Sequence, residues 1–294
     1  MKWLLRRYNK KSSRKYGWHP SWFHESLKDI DNNLIEYIKA FQIEHRLAPD
    51  GKVGPKTFRR LLTARDEDIT KSKNYIIVNG NRKKIDCNTI INIMPSGTFK
   101  QWRKERKPNM IVTHWDVCTS AAKCYRVLKA RGISTHFCID NDGTIHQFVD
   151  TNNVAYHAGS PANRHSIGVD FSNAFYTKYN KWYSRKGFGP RPVLANSKVH
   201  GVKLGYHLGY YPRQIESYKK LLNVLCEHYN IPKNVPRNEE GHLITKVVKE
   251  AKVAKFNGIV CHYHLTRNKI DCAGLELDKI VDDLCDDSND LDTT

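Results

Sequence analysis

Three features of this sequence predict an α/β fold, with a mixed central sheet flanked by helices and a small all-helical module ahead of it. Strand-like apolar runs and helical periodicities occur in mixed order from residue 74 onward. A 3.6-residue apolar repeat dominates residues 34–62, and a charged stretch separates the two regions. At 294 residues the chain is long enough for two domains. Its longest apolar runs, such as Tyr75-Ile76-Ile77-Val78, fall far short of the ~20 residues of a membrane span, so no membrane insertion is expected.

Residues 1–24 hold seven Lys and Arg and no acidic residue, interleaved with Trp3, Tyr8, Tyr16, Trp18, Trp22 and Phe23. They are expected to form a basic aromatic arm that either covers the next domain or adheres to an anionic surface. Residues 25–64 read as a helical module: Leu34, Ile38, Phe41 and His45 recur at helical spacing, Asp50-Gly51 marks a turn, and Pro55 opens a second helix with Phe58, Leu61 and Leu62 inward. The charged stretch from Ala64 to Lys73 is expected to be a linker.

The second domain, 74–281, carries strand signals at Tyr75–Val78, Met110–Trp115, Ser134–Asp140, Thr144–Val149, Ser166–Phe171 and Gly258–His264. Helical signals cover Ser120–Ala130, Arg213–His228 and Leu275–Leu284, and Asp140-Asn141-Asp142-Gly143 reads as a hairpin turn. The stretch Asn173–Pro212, rich in Tyr, Gly, Lys and Pro, is expected to be a long surface excursion. Residues 282–294 hold six Asp and no Lys or Arg and are expected to be a disordered acidic tail.

The balance of 49 Lys and Arg against 30 Asp and Glu, a net charge of +19, favours anionic partners. No zinc-finger, recognition-helix or RNA-binding motif accompanies it, so no specific nucleic-acid partner is expected. Eight irregularly spaced cysteines without a CxxC pair are expected to be reduced, mostly as small core residues. The start, Met1-Lys2-Trp3-Leu4-Leu5-Arg6-Arg7, lacks the apolar stretch of a secretory signal, so synthesis in the cytoplasm is expected.

Three distant segments place a polar residue where a strand should be apolar. In Met110–Trp115, alternation puts Val112 and His114 on one face. In Val260–Gly274, His262 and His264 are expected to share a strand face, with Lys269, Asp271 and Cys272 in the following loop. Two imidazoles with a carboxylate or thiolate, leaving one position to water, are the donor set of a catalytic zinc. In Ser166–Phe171, Asp170 stands on the face lightened by Gly168, where a carboxylate could take a proton from water, orient a ligand histidine or pair with a lysine.

From about Pro108 to Gly274 the chain resembles the zinc-dependent N-acetylmuramoyl-L-alanine amidases that include phage endolysins and peptidoglycan-recognition proteins. The resemblance rests on Ile111-Val112-Thr113-His114, Ile133-Ser134-Thr135-His136-Phe137 with Ile139-Asp140-Asn141-Asp142-Gly143-Thr144-Ile145, Asn153-Val154-Ala155-Tyr156-His157-Ala158-Gly159, Ser166-Ile167-Gly168-Val169 and the His262-to-Asp271 loop. It implies a mixed sheet with Zn2+ at its edge, and hydrolysis of the amide between the lactyl group of muramic acid and the first L-alanine of the stem peptide. By position, His114, His262 and Asp271 would be the zinc ligands, with His264 and Cys272 as rivals. Lys269 would stabilise the oxyanion. Asp170 would inherit the general-base role from a glutamate, the alternative tyrosine slot being Thr135, and His157 and Thr135 would be substrate-side positions. Phe41-Gln42, Leu47, Asp50-Gly51-Lys52-Val53-Gly54-Pro55-Lys56-Thr57 and Leu61 resemble the helical peptidoglycan-binding module often fused to wall hydrolases.

The expectation is therefore a peptidoglycan amidase of endolysin type, bacteriolytic and acting at the bacterial cell wall. The alternative is a peptidoglycan-recognition protein that has kept the fold and lost catalysis.

Overall fold

The computed structural model describes residues 2–24, 26–61, 73–102 and 104–289. The chain divides into two compact units, Met1–Lys71 and Ser72–Thr294. Most of the expected linker, together with Leu62 and the last five residues of the expected tail, lies outside the described residues.

The first unit contains α1 (Lys2–Tyr16), α2 (Asn32–Glu44) and α3, which begins at Pro55. Asp31 caps α2 by accepting the Leu34 N–H at 2.9 Å, a contact worth about 1 kcal/mol. Gln42 organises the turn between α2 and α3: its amide donates to Asp50 Oδ1 at 2.8 Å and Thr57 Oγ1 at 3.1 Å, and its carbonyl accepts the Gly51 N–H at 2.9 Å. The expected arm is part of this unit. Asn9 of α1 donates to the Gly51 carbonyl at 2.9 Å and accepts the Val53 N–H at 3.0 Å, while Trp18 packs with Leu27, Leu34, Ile38, Val53 and Leu61. The boundary expected at residue 24 therefore cuts through a core. The opposite side of α1 leaves Trp3 and Leu4 exposed among its basic residues.

The second unit is built on seven strands: β1 (Lys73–Val78), β2 (Asn81–Ile91), β3 (Met110–Trp115), β4 (Phe137–Ile139), β5 (Ile145–Gln147), β6 (Ser166–Phe171) and β7 (Gly258–Cys261). Their order is β1-β2-β5-β4-β6-β3-β7. The β1–β2 and β4–β5 pairs are antiparallel, and the other neighbours run parallel, making the sheet mixed. Strands β3 and β6 are buried along their whole length, as parallel strands covered on both faces should be. Ile111, Trp115, Val169, Phe171 and Ile259 join Tyr218, Leu221 and Leu225 of α5 (Pro212–Tyr229) in one core, while Met110, Val112 and Val260 form another with Ala162, Ala251 and Leu265. Between β3 and β4 lies α4 (Ala121–Ala130), capped by Ser120. The expected hairpin turn joins β4 to β5; a side chain at Gly143 would meet the Arg213 carbonyl at 2.8 Å, and its φ of +87° suits glycine.

Three expectations are corrected. Strand β7 ends at Cys261, and His262–His264 form a 3-10 turn, so His262 and His264 do not share a strand face. The cause is local: His264 Nδ1 accepts the Cys261 N–H at 2.9 Å, closing the turn. Strand β2 carries no strand signal in the reading above, because Asn81-Arg82-Lys83-Lys84 is an exposed polar stretch. The acidic segment does not begin as a disordered tail: α6 (Leu277–Asn289) runs through it with Ile280, Val281 and Leu284 buried, and Asp282 meets Arg237 at 2.6 Å. The Asn173–Pro212 stretch lies largely on the surface, as expected, and is pinned to the body by buried Arg191. That guanidinium lies 4.6 and 4.5 Å from the Tyr183 and Tyr211 rings and donates to the Gly209 carbonyl at 2.8 Å. Among the described residues, no helix is long and apolar enough to cross a membrane.

Candidate active site

The site lies at the carboxyl ends of β3, β6 and β7. The β3–β6 register pairs His114 with Asp170, and the β7–β3 register pairs Cys261 with Thr113, so the chain leaves β7 with His262 beside His114. The loop after the turn returns Asp271 to the same place, where the Tyr263 N–H donates to the Asp271 carbonyl at 3.1 Å.

Three ligand atoms converge there. His114 Nδ1 and His262 Nδ1 are 3.0 Å apart, and Asp271 Oδ2 lies 3.1 Å from the first and 3.0 Å from the second. All three residues are buried. Burial alone would lift the Asp271 carboxyl; hydrogen bonds and charge from His262 and His114 outweigh it and hold the group well below the usual carboxylate range. Two imidazole lone pairs cannot face each other at 3.0 Å without a proton or a cation between them. A divalent ion fits this donor set, since four-coordinate zinc with bonds of about 2.0–2.1 Å separates its donors by about 3.4 Å.

The far side of His114 is held by a chain of donors. Ser166 Oγ donates to the Ala162 carbonyl at 2.7 Å and so accepts from His157 Nε2 at 3.3 Å. His157 Nδ1 is then an acceptor for His114 Nε2 at 2.9 Å, which leaves the lone pair of His114 Nδ1 facing the convergence point. Burial, then the charges of His114 and His136, keep His157 neutral by pushing its pKa well below the usual histidine value. Both ring nitrogens are thus occupied inside the protein, so His157 supports His114 instead of presenting a nitrogen to substrate.

Behind His157 sit two residues that the sequence reading did not single out as functional. His136 Nδ1 accepts the Gly168 N–H at 2.9 Å, and its Nε2 donates to the Asn153 carbonyl at 3.1 Å. Arg106 is buried and donates to the carbonyls of Thr151, Asn153, Asn163, Arg164 and Ser166. Desolvation pushes its pKa down to about 10. Its position within Lys104-Glu105-Arg106-Lys107 looks like a solvated charge run, which is why sequence alone passes over it.

Asp170 is buried beside the cluster, and its pKa is pushed up to about 7, first by burial and against the pull of His114. Thr135 is buried; its hydroxyl donates to the Phe137 carbonyl at 3.5 Å and stands close enough to Asp170 to favour the ionised carboxylate. Lys269 is exposed two residues before Asp271; its carbonyl accepts from His200 Nε2 at 2.9 Å, and its ammonium makes no hydrogen bond or ion pair among the described residues. The rival ligands are turned elsewhere. His264 uses Nδ1 on the Cys261 N–H and Nε2 on the Ile244 carbonyl at 2.5 Å, while Cys272 is fully buried in the apolar core with Cys261 and Tyr210.

The fold resembles several solved structures at low identity. N-acetylmuramoyl-L-alanine amidase LysC from Clostridium intestinale is 20% identical, with 66% of this chain and 96% of that one covered and a TM-score of 0.38. The Staphylococcus aureus hydrolase AmiA is 11% identical, covering 67% and 82%, with a TM-score of 0.42. The Ph2119 endolysin of a Thermus scotoductus bacteriophage is 14% identical, covering 65% and 97%, with a TM-score of 0.38. No curated protein matches the sequence. Residues 104–274, more than half of the chain and all the site residues above, match the N-acetylmuramoyl-L-alanine amidase family, and the chain belongs to that family.

Proposed function

We propose that the second unit hydrolyses the amide between the lactyl group of N-acetylmuramic acid and the L-alanine of a peptidoglycan stem peptide, in an endolysin-like, wall-lysing role. The observation that carries this reading is the meeting of His114 Nδ1, His262 Nδ1 and Asp271 Oδ2 at 3.0–3.1 Å. These three residues would hold Zn2+, which when bound lowers the pKa of water and polarises a carbonyl.

The protein's own groups supply the proton chemistry. Asp170, ionised above about pH 7, takes a proton from the attacking water as its oxygen bonds to the amide carbon. The same carboxyl returns that proton to the nitrogen as the C–N bond breaks, so the stem peptide leaves as an amine. Lys269, carried on the loop that ends in Asp271, is the cation available to the developing oxyanion. The basic N-terminal unit would hold the enzyme on peptidoglycan and raise its effective concentration near scissile bonds.

The test is mass spectrometry of purified wall fragments after incubation with the protein. Free stem peptides beginning in L-alanine are expected, lost on chelation and restored by Zn2+. Intact muropeptides in every sample would overturn the reading.

A further inference from the structure

Asp116, Cys124 and Cys138 form a second convergent group of ligand atoms, and we propose that it binds a borderline-soft divalent cation, Zn2+ or one of like preference, as a structural site. It is separate from the histidine–aspartate cluster and does not depend on the amidase reading. One ligand atom from each residue lies within 4.8 Å of the others. The three come from different elements: Asp116 from the turn after β3, Cys124 from α4 and Cys138 from β4. Both thiols are buried.

The carboxylate is aimed. Asp116 Oδ1 accepts the Cys118 N–H at 2.8 Å and the Asn173 N–H at 3.0 Å, which turns Oδ2 toward the thiols, 3.7 Å from Cys138 Sγ. A ligand held by outer partners with its free oxygen facing two sulfurs is the arrangement metal sites use. Zn–S bonds of about 2.3 Å and Zn–O bonds of about 2.0–2.2 Å separate tetrahedral donors by about 3.5–3.8 Å, so the Asp116–Cys138 spacing fits as it stands.

Among the described residues, Oδ2 is given only the weak thiol donor of Cys138. A bound cation would replace that contact and ionise the thiols, releasing their protons to solvent. It would also tie α4 to the sheet behind Asp170.

The test loads the chelator-stripped full chain with Zn2+ for elemental analysis and with Co2+ for absorption spectroscopy. The expected stoichiometry is two Zn2+ per wild-type chain and one in His114→Ala/Asp271→Ala, with thiolate-to-cobalt charge-transfer absorption in both. Cys124→Ala/Cys138→Ala should lose that band and one equivalent of zinc. Should this variant fail to fold by circular dichroism, Asp116→Asn decides: it should keep the band at saturation and bind Co2+ at least tenfold more weakly. No charge-transfer band in the wild type, or an unchanged cobalt affinity in Asp116→Asn, overturns the proposal.

Discussion

His114 Nε2 lies 2.9 Å from His157 Nδ1, and the direction of that hydrogen bond determines which nitrogen of His114 faces the ligand cluster. Because Ser166 Oγ is committed to the Ala162 carbonyl, His157 must carry its proton on Nε2 and accept at Nδ1. His157→Ala removes the acceptor and frees the His114 tautomer. Zinc affinity at the histidine–aspartate cluster should fall about 10–100-fold, measured by competition with a chromophoric chelator.

Gly168 makes room for that histidine. A Cβ there would stand 2.6 Å from His157 Cγ and 2.7 Å from its Nδ1, distances no real contact tolerates. Gly168→Ala should push the ring off His114, destabilise the fold by about 1–3 kcal/mol and cut wall hydrolysis at least tenfold, as read from urea melts and product release.

Asp170 should show a conflict between stability and activity. Its carboxyl is lifted from the ordinary 3.8 to about 7, so the folded state holds a proton that the unfolded state has lost across that window. Stability from this group is greatest below pH 4 and declines as pH rises to 7. Asp170→Asn escapes the penalty: in metal-free protein it should gain stability progressively from pH 4 to 7, by at most about 4 kcal/mol, and abolish turnover. In the wild type, activity should fall on acidification with a midpoint at or below about pH 7.

Arg106 is a structural counterpart to these residues. Arg106→Met would take the guanidinium from the carbonyls of Thr151, Asn163, Arg164 and Ser166 and leave Asn153 with His136 alone, at about 1–3 kcal/mol for each carbonyl left without a donor that water cannot reach. A loss of about 4 kcal/mol or more in urea unfolding is expected, with little recovery from Arg106→Lys, whose single ammonium cannot span the same acceptors.

How legible these features are in the sequence depends on how local their causes are. Strands β3 and β6 read correctly because both faces are buried, so His114 and Asp170 interrupt otherwise apolar runs. The convergence of His114, His262 and Asp271 follows once the parallel register is known. The His262/His264 strand face fails because a side-chain hydrogen bond, invisible to alternation, ends β7 early. The acidic segment misleads through composition: Asp282, Asp283 and Asp286 are exposed on a helix that buries Leu284. The partners of His157 were beyond reach, since they depend on Ser166 and Gly168 packing against one ring from a separate strand.

The decisive measurement is anomalous diffraction at the zinc edge from crystals of the full chain grown with Zn2+. A peak is expected about 2.0–2.2 Å from His114 Nδ1, His262 Nδ1 and Asp271 Oδ2. A zinc peak bound through Cys272 and His264, or none at this cluster, would contradict this ligand set.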